Sequence, residues 1–340
     1  MARRTSRRRS NTEPPTFQLP TGPVAVTTGT VELVVDRDDP RGVTVHVNGV
    51  PSSYVHEDPT VLAFEYMEHM GALLDAVAPG PLRAIHVGAA GCSLPRWVEA
   101  RRPGSRQVAI DPDPTLLELV RGWFDLPRSP VLRLRAEDGR SALASSAPAS
   151  ADVIVRDAFA GDTTPAHLTT DGWTDEVLRV LRPGGLYLAN VADRAPLRTV
   201  RSEVATLLAR LSGTGDDEAP CWSSVVLVAE PAVLKGRRYG NLVLAAVRAG
   251  APGPDLTGPQ VERDLRRLAV PATLVTGSAL ERFAAGAAPF VDPAAAAAPA
   301  GHDGTAGHDG AAVHDGTIGG TPAVEGPSSA DAAQDTPGAP

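Results

Sequence analysis

Glycines and carboxylates recur in the first half of the chain at points where short apolar runs end. The run at 84–87 stops at a turn of sequence GAAG, from Gly88 to Gly91, and a helix-like segment follows this turn. A second apolar run ends on Asp111, about 20 residues after the turn, which is the separation expected for a ribose-binding acid. Glycine lets a backbone approach a ligand closely, and a carboxylate accepts hydrogen bonds from hydroxyl groups. The spacing therefore indicates a nucleoside site.

Two further apolar runs end in a similar way. Glu137 and Asp138 follow the third run, and Asp157 ends the fourth. In a doubly wound α/β sheet, ligands bind at the carboxyl ends of the strands, at the point where the strand order reverses. Four successive strand ends that carry a glycine turn or an acid therefore favour a nucleoside pocket. Because the turn reads GAAG and not GxGxxG, the pattern weakens the case for a dinucleotide.

The elements that could position these groups alternate between strand and helix after residue 80, as in a parallel sheet covered on both faces. We predict strands near residues 83–87, 107–111, 131–135, 152–157, 185–191, 222–229 and 241–248. We predict helices near residues 93–102, 114–124, 139–145, 171–181 and 195–211, with Ser93 as the N-cap of the first. The last two strands should pair antiparallel, because the segment between them is too short for a helical crossover.

The chain before residue 80 has a different pattern. Short apolar runs between residues 23 and 55, with a turn at Asn48 and Gly49, predict a small β-hairpin region. A helix is expected over residues 60–77, where apolar side chains recur at helical spacing. The predicted fold is therefore α/β: a doubly wound, seven-stranded, mostly parallel sheet of the Rossmann type, preceded by a small N-terminal β-hairpin region.

Composition divides the chain into five segments. We expect a disordered basic tail over 1–22, a β-strand region over 23–60, a nucleoside-binding catalytic domain over 61–250, a helical segment over 251–290 and a disordered Ala/Gly/Pro-rich tail over 291–340. The net charge of −8 argues against a nucleic-acid binder and favours a cationic small-molecule partner. The two cysteines suit a reducing cytoplasm, and no apolar stretch is long enough to cross a membrane.

Several stretches resemble one enzyme family. The LRPGG turn at 181–185 and the antiparallel last strand are similar to the S-adenosylmethionine-type Rossmann fold of class I methyltransferases. The segment ADVIVRDAFAGDTTPAHLTT at 151–170 resembles the gate loop of the polyamine aminopropyltransferases, the spermidine synthase family. The stretches VHVNGVPSSYV and FEYMEHM resemble that family's N-terminal β-segment and the helix that carries a substrate-side tyrosine. The resemblance covers roughly residues 25–250.

The resemblance implies how the nucleoside half of the site is built. The backbone at Gly88 and Gly91 would approach the aminopropyl moiety of the nucleoside. Asp111 would hold both ribose hydroxyls, and Asp138, together with Glu137, would take the adenine amino group. The implied co-substrate is decarboxylated S-adenosylmethionine, with S-adenosylmethionine as the alternative. No cluster of side chains has the spacing of metal ligands, so no metal is expected.

The resemblance also implies the chemistry of the half of the site that binds the amine substrate. Asp157 would be the base that accepts a proton from the attacking amine, and Tyr66, Asp162 and His167 would lie on the substrate side. The predicted activity is transfer of an aminopropyl group to a polyamine-type amine, in polyamine biosynthesis and in the cytoplasm. Family membership further suggests a homodimer formed through the N-terminal strands.

Two positions depart from the family pattern and keep other functions open. The family gate carries a second acid three residues after the first, where this chain has Ala160. The turn GAAGC lacks the acid that would face the aminopropyl ammonium group. One alternative is an S-adenosylmethionine-dependent methyltransferase that acts on a small molecule. Another is a catalytically silent relative that binds the nucleoside, an interpretation that Ala160 favours and Asp157 disfavours.

Three neighbouring residues are predicted to be structural. Cys92 follows the glycine turn and is expected to be a small packing residue. Trp173, in the helix after the gate, is expected to pack on the sheet. Arg156 should point away from Asp157, because consecutive strand residues face opposite sides of a sheet.

Overall fold

The first part of the chain forms a small antiparallel sheet. The computed structural model describes residues 17–88, 90–211 and 219–293. This sheet contains, in spatial order, β1 (Val24–Val26), β2 (Gly29–Val35), β3 (Gly42–Val47) and β4 (Val50–His56). Asn48 and Gly49 join β3 to β4 with positive φ angles of 51° and 78°, the backbone that a two-residue hairpin turn requires. The predicted hairpin region is therefore a four-stranded sheet.

Within the described ranges, the main sheet has eight strands. In chain order they are β5 (Arg83–Val87), β6 (Arg106–Asp111), β7 (Leu132–Ala136), β8 (Ala151–Arg156), β9 (Leu181–Asp193), β10 (Trp222–Ala229), β11 (Gly240–Arg248) and β12 (Thr273–Thr276). Across the sheet the order is β12-β10-β11-β9-β8-β5-β6-β7. Strands β5 to β9 pair in parallel, whereas β11 is antiparallel to both β9 and β10, and β12 is antiparallel to β10. The strand order reverses between β5 and β8, as in other doubly wound sheets.

Helices cover both faces of the main sheet. They are α1 (Glu65–Asp75), α2 (Ser93–Arg101), α3 (Pro114–Trp123), α4 (Gly139–Ala144), α5 (Asp171–Val180), α6 (Arg198–Leu208), α7 (Pro231–Leu234), α8 (Pro259–Arg267) and α9 (Gly277–Ala284). Leu73 of α1 packs in one core with Val243 of β11, whereas Val177 of α5 packs in another with Leu244. Because Val243 and Leu244 are consecutive strand residues, these two cores lie on opposite faces of the sheet. The predicted fold class is confirmed.

The structure corrects the prediction in two places. The sequence predicts seven strands in the main sheet, and the structure has an eighth, β12. This strand is four residues long, only partly buried and paired with β10 alone, so it lacks the long apolar run that identifies the other strands. The predicted N-cap, Ser93, is also wrong. Cys92 takes the cap position with a φ of 55°, and Ser93 instead donates its hydroxyl to the carbonyl of Tyr54 at 2.6 Å.

The described residues cover only part of the five predicted segments. Most of the predicted tails, 1–22 and 291–340, lies outside the described residues. The segment predicted to be helical over 251–290 contains α8, β12 and α9. The described residues fall in one compact unit that ends at Pro293, and the boundaries predicted near residues 60 and 250 stay predictions. None of the helices in the described ranges is long and apolar enough to cross a membrane.

Candidate active site

The parallel strands bring the predicted site residues to one edge of the main sheet. Gly88 follows β5, Asp111 ends β6, Asp138 lies two residues after β7, and Asp157 follows β8. Because these strands run in the same direction, their carboxyl ends meet at the same edge. Gly88 and Asp157 flank the point where the strand order reverses, which is the usual position of a ligand in this architecture.

Asp157 is held by two side chains from different elements. The Tyr66 hydroxyl of α1 donates to Oδ2 of Asp157 at 3.0 Å, and Nδ2 of Asn190 in β9 donates to Oδ1 at 2.8 Å. Burial raises the pKa of Asp157, and the hydrogen bonds from Asn190 and Tyr66 offset only part of this effect. Burial beside Asp157 also raises the pKa of Tyr66 well above its usual value, so the phenol stays a donor. Asp157 thus binds a proton more readily than an ordinary aspartate.

Arg156 lies on the opposite face of the sheet from the Asp157 side chain, as strand alternation predicts. Its guanidinium is fully buried, pairs with Glu203 of α6 at 2.8 Å and donates to the carbonyl of Leu168 at 2.8 Å. Arg156 also donates to the backbone carbonyl of Asn190 at 3.1 Å. It therefore fixes the strand that carries Asn190 without forming an ion pair with Asp157.

The two glycines of the turn have different surroundings. At Gly88, where φ is 93°, a Cβ atom would lie 2.1 Å from the carbonyl oxygen of Asp157, so only glycine lets the ends of β5 and β8 come this close. At Gly91, a Cβ atom would lie 2.5 Å from Val55, and the Gly91 amide donates to Oγ of Ser53 at 3.1 Å. Gly91 thus docks the turn on the N-terminal sheet, and its contact with a nucleoside stays a prediction.

The end of β6 carries two carboxylates with different roles. Asp111 is partly exposed, and its Oδ1 accepts a hydrogen bond from the Asp113 amide at 3.0 Å. Asp113, which the sequence analysis did not single out, is buried and caps α3 by accepting from the Leu116 amide at 2.9 Å. It also accepts from the amide and the hydroxyl of Thr28, each at 2.7 Å. Asp113 therefore ties the N-terminal sheet to α3 and leaves Asp111 at the edge.

Asp138 bridges the start of α4 and the gate loop, which we define as residues 157–170. Its Oδ1 accepts from the amides of Arg140 and Ser141 at 3.0 and 3.1 Å, and its Oδ2 lies 2.7 Å from Nε2 of His167. Burial alone would raise the pKa of Asp138. The three hydrogen bonds outweigh this effect, so the pKa of Asp138 lies below its usual value. The neighbouring Glu137 is paired with Arg135. The structure thus brings Asp138 and His167 together.

The gate loop does not bring a second acid to Asp157. The Ala160 amide donates to the carbonyl of Thr163 at 2.8 Å and closes a turn in which Gly161 has a φ of 68°. Asp162 projects from this turn with 64% of its side chain exposed and lies 3.9 Å from Arg194. The exposed position of Asp162 is a consequence of this turn.

A group of charged and aromatic residues at the same edge was not found by sequence reasoning. Arg194 follows β9, and its guanidinium carbon lies 5.9 Å from the ring centroid of Tyr239. Arg238 pairs with Glu230, at the end of β10, and lies 3.7 Å from Glu65 of α1. The only sequence signal for this group is Tyr239, a tyrosine directly before β11. Its position opposite the end of β9 depends on the antiparallel register of the two strands, which the sequence does not show.

Two other predictions concern residues near the edge. Cys92 is buried, and burial raises its thiol pKa to about 12, in keeping with a packing role. Trp173 is buried and donates from its indole nitrogen to the hydroxyl of Tyr187 at 3.0 Å. In the described ranges, no group of three or more His, Cys, Asp or Glu side chains is arranged to hold a metal ion.

A cleft on the described residues lies away from this edge. It has a volume of about 660 Å³ and is lined by Phe17, Arg96, Trp123 and residues near them. None of the residues that line it is a predicted site residue. The titratable groups with shifted pKa values converge at the strand ends and not in this cleft.

Comparisons with known proteins fit this arrangement. No protein-family model matches the chain. The solved structure of a probable spermidine synthase from Corynebacterium glutamicum is 33% identical, with a TM-score of 0.72, over 82% of this chain and 98% of that one. The polyamine aminopropyltransferase of Chromobacterium violaceum is 26% identical over 141 residues, which are 42% of this chain and 54% of that protein. The eEF1A lysine and N-terminal methyltransferase of Mus musculus is 32% identical over 123 residues, 34% of this chain and 18% of that protein.

The fold and these similarities define an α/β transferase with a Rossmann-like sheet. The chain belongs to the spermidine synthase-like family, because its similarity to the Corynebacterium protein covers nearly all of that chain. The resemblance stated from the sequence is confirmed. The chain nevertheless spans only about half of the Chromobacterium enzyme and a smaller part of the mouse methyltransferase.

Proposed function

We propose that this protein transfers the aminopropyl group of decarboxylated S-adenosylmethionine to a polyamine-type amine. The observation that carries the proposal is Asp157, a strand-end carboxylate whose pKa is raised by burial and whose two oxygens are oriented by Tyr66 and Asn190. The names of the Corynebacterium and Chromobacterium relatives support the same reaction. The net charge of −8 suits a cationic acceptor.

The proposed step needs a base at this point. The lone pair of the amine nitrogen forms a bond to the carbon beside the sulfonium, the carbon–sulfur bond breaks, and its electron pair returns to sulfur. Methylthioadenosine leaves as a neutral thioether, and the proton lost by the nitrogen passes to the Asp157 carboxylate. An alkyl amine has a pKa of about 10, similar to that of lysine, so little free base exists at neutral pH. A carboxylate within hydrogen-bond reach of the ammonium group can accept this proton before the attack and so free the nitrogen lone pair.

The other strand ends would hold the nucleoside. Gly88 allows the backbone of the turn to approach the aminopropyl chain, and Asp111 would accept hydrogen bonds from the ribose hydroxyls. Asp138 would accept from the adenine amino group through Oδ2, which has a lone pair besides the one directed at His167, whereas Oδ1 already accepts from two backbone amides. A small-molecule acceptor, a cytoplasmic location, a homodimer and a place in polyamine biosynthesis belong to the same proposal.

A second candidate function is methyl transfer from S-adenosylmethionine to a small molecule. The observation that favours it is the turn sequence GAAGC, which has no acid to face the aminopropyl ammonium group. The similarity to the mouse methyltransferase supports it as well. The two candidates differ in the group transferred, and therefore in the nucleoside released.

A product assay separates the candidates. The full-length protein is incubated with decarboxylated S-adenosylmethionine or with S-adenosylmethionine, together with a panel of diamines and polyamines, and the released nucleoside is identified by mass spectrometry. We expect methylthioadenosine, formed only when the decarboxylated co-substrate and an amine are both present. Release of S-adenosylhomocysteine would identify a methyltransferase instead. Tight nucleoside binding without either product would favour a silent relative. Asp264→Asn, at a partly exposed position on α8, serves as the control variant.

A further inference from the structure

The chain returns to the start of α5 at residues 290–292, which the composition assigns to the boundary of a tail. The Phe290 amide donates to Oγ1 of Thr206 at 2.9 Å, and the Phe290 carbonyl accepts from the Asp171 amide at 2.9 Å. The Asp292 amide donates to Oδ1 of Asp171 at 2.8 Å. These three bonds attach the segment to α5 and α6, on the same side of the sheet as α4.

The Asp292 carboxylate occupies a closely fitted position there. Its Oδ1 accepts from the Thr170 hydroxyl at 2.6 Å and from Nη1 of Arg140 at 2.7 Å, and its Oδ2 pairs with Nη2 of Arg140. A Cβ atom at Gly172 would lie 2.1 Å from Oδ2 of Asp292, so this glycine provides the space for the carboxylate. The Arg140 guanidinium lowers the pKa of Asp292 to about 2, which keeps the pair charged over the physiological range.

Arg140 connects Asp292 to the nucleoside half of the site. The same Nη1 that contacts Asp292 also donates to the backbone carbonyl of His167 at 3.4 Å. The imidazole of His167 lies 2.7 Å from Asp138, and Asp138 in turn accepts from the Arg140 amide at 3.0 Å. Asp292, Arg140, His167 and Asp138 thus form one continuous network of side-chain and backbone hydrogen bonds.

We propose that Asp292 is a positioning residue of this site: it fixes Arg140, and Arg140 holds the His167 end of the gate loop on Asp138. The inference rests on the proposed function, in which Asp138 binds the adenine amino group. Asp292 itself touches no reacting atom. It acts by keeping His167 and Asp138 in one arrangement, so that the nucleoside meets an ordered gate and loses less of its binding free energy to loop ordering.

The first test uses Asp292→Asn in the full-length protein. This variant keeps the shape of the side chain and removes the charge that holds Arg140. We expect the Kd for methylthioadenosine, measured by calorimetry, to rise about fivefold, as expected when a charge-assisted hydrogen bond is weakened at one remove from the ligand. Hydrogen exchange at the backbone amides of residues 163, 164 and 166–169 should become faster even without ligand.

A second variant tests the same link without a change of charge. Gly172→Ala places a methyl group where the Asp292 carboxylate lies, and alanine is a good helix former, so α5 should be retained. We expect the same rise in Kd and the same faster exchange. The matched control is Asp175→Asn on the same helix, which breaks a 3.0 Å ion pair with Arg210 away from the gate loop. This control should leave both measurements at the wild-type values.

Two results would overturn the inference: wild-type exchange in the gate loop of both Asp292→Asn and Gly172→Ala, or a change of equal size in Asp175→Asn. Failure of the proposed function looks different. If the wild-type protein does not bind methylthioadenosine at all, the assignment of the site fails, and the exchange measurement still decides whether Asp292 orders the gate loop.

Discussion

Asp138 and Asp157 are both aspartates that follow parallel strands at one sheet edge, yet their surroundings shift their pKa values in opposite directions. Asp138 is 44% exposed and accepts two backbone amides and an imidazole, and these hydrogen bonds lower its pKa. Asp157 accepts from two side-chain donors of the described residues, is partly buried, and has its pKa raised by this burial. The first is suited to accept hydrogen bonds while it stays charged, and the second is suited to receive a proton.

The largest effect that separates the two residues is expected at Asp157. Asp157→Asn removes the proton acceptor and keeps the shape of the side chain, so kcat for aminopropyl transfer should fall about 10² to 10⁴-fold. The Kd for methylthioadenosine should stay within about threefold of wild type, because this residue is not assigned to the nucleoside. Stopped assays and calorimetry measure the two quantities. Turnover at the wild-type rate would contradict the assignment of the base.

The converse effect is expected at Asp138. Asp138→Asn retains an oxygen that can cap α4 but presents an amide NH₂ to the adenine amino group, so the Kd for methylthioadenosine should rise about tenfold. The kcat at saturating co-substrate should change little. A thermal melt that stays close to wild type would show that the cap is retained. If kcat fell as far as in Asp157→Asn while Kd stayed constant, the separate roles assigned to Asp138 and Asp157 would be contradicted.

A smaller effect should appear in the pH profile of Tyr66→Phe. The phenol donates to Asp157 and lowers its pKa, so removing the hydroxyl should raise that pKa further. Because the base must be deprotonated to act, the acidic limb of the kcat profile should move to higher pH, and kcat near neutrality should fall about threefold. Tyr54→Phe, which removes a 3.0 Å bond to Asp36 in the N-terminal sheet, is the matched control. An acidic limb that moves to lower pH would reverse the assigned role of Tyr66.

The smallest effect is expected at Asp162. This acid projects from the gate loop and lies 3.9 Å from Arg194, so it contributes little at its exposed position. Asp162→Asn should change kcat/KM for the best acceptor amine by less than about twofold. A loss of tenfold or more would mean that the gate loop brings Asp162 to the amine during turnover.

The sequence was sufficient for the architecture and for most of the strand-end carboxylates, because both follow from local patterns. The alternating apolar runs located the parallel strands, and Asp111, Asp138 and Asp157 stand directly at or after their ends. The short edge strand β12 was missed, since four partly buried residues give no periodic signal. Local sequence patterns also do not specify which strands lie next to one another, because this order is set only in the folded sheet.

The partners of the carboxylates were harder to predict than the carboxylates themselves. Asn190 lies inside an apolar strand and meets Asp157 only because β9 pairs with β8. Asp113 could be recognised as a helix cap, but its bonds to Thr28 depend on where the N-terminal sheet docks. Asp292 was assigned to a tail on composition, although its carboxylate pairs with Arg140. In each case the contact joins residues distant in sequence, which no local pattern encodes.

The most direct measurement is the titration of the two carboxyl groups themselves. Carbon-13 NMR of protein labelled at the aspartate side-chain carboxyl carbons follows each group through pH, with Asp157→Asn and Asp138→Asn used to assign the signals. We expect the Asp157 carboxyl to titrate above the usual aspartate range and the Asp138 carboxyl below it. If Asp138 held its proton to higher pH than Asp157, the assignment of base and nucleoside acceptor would be contradicted.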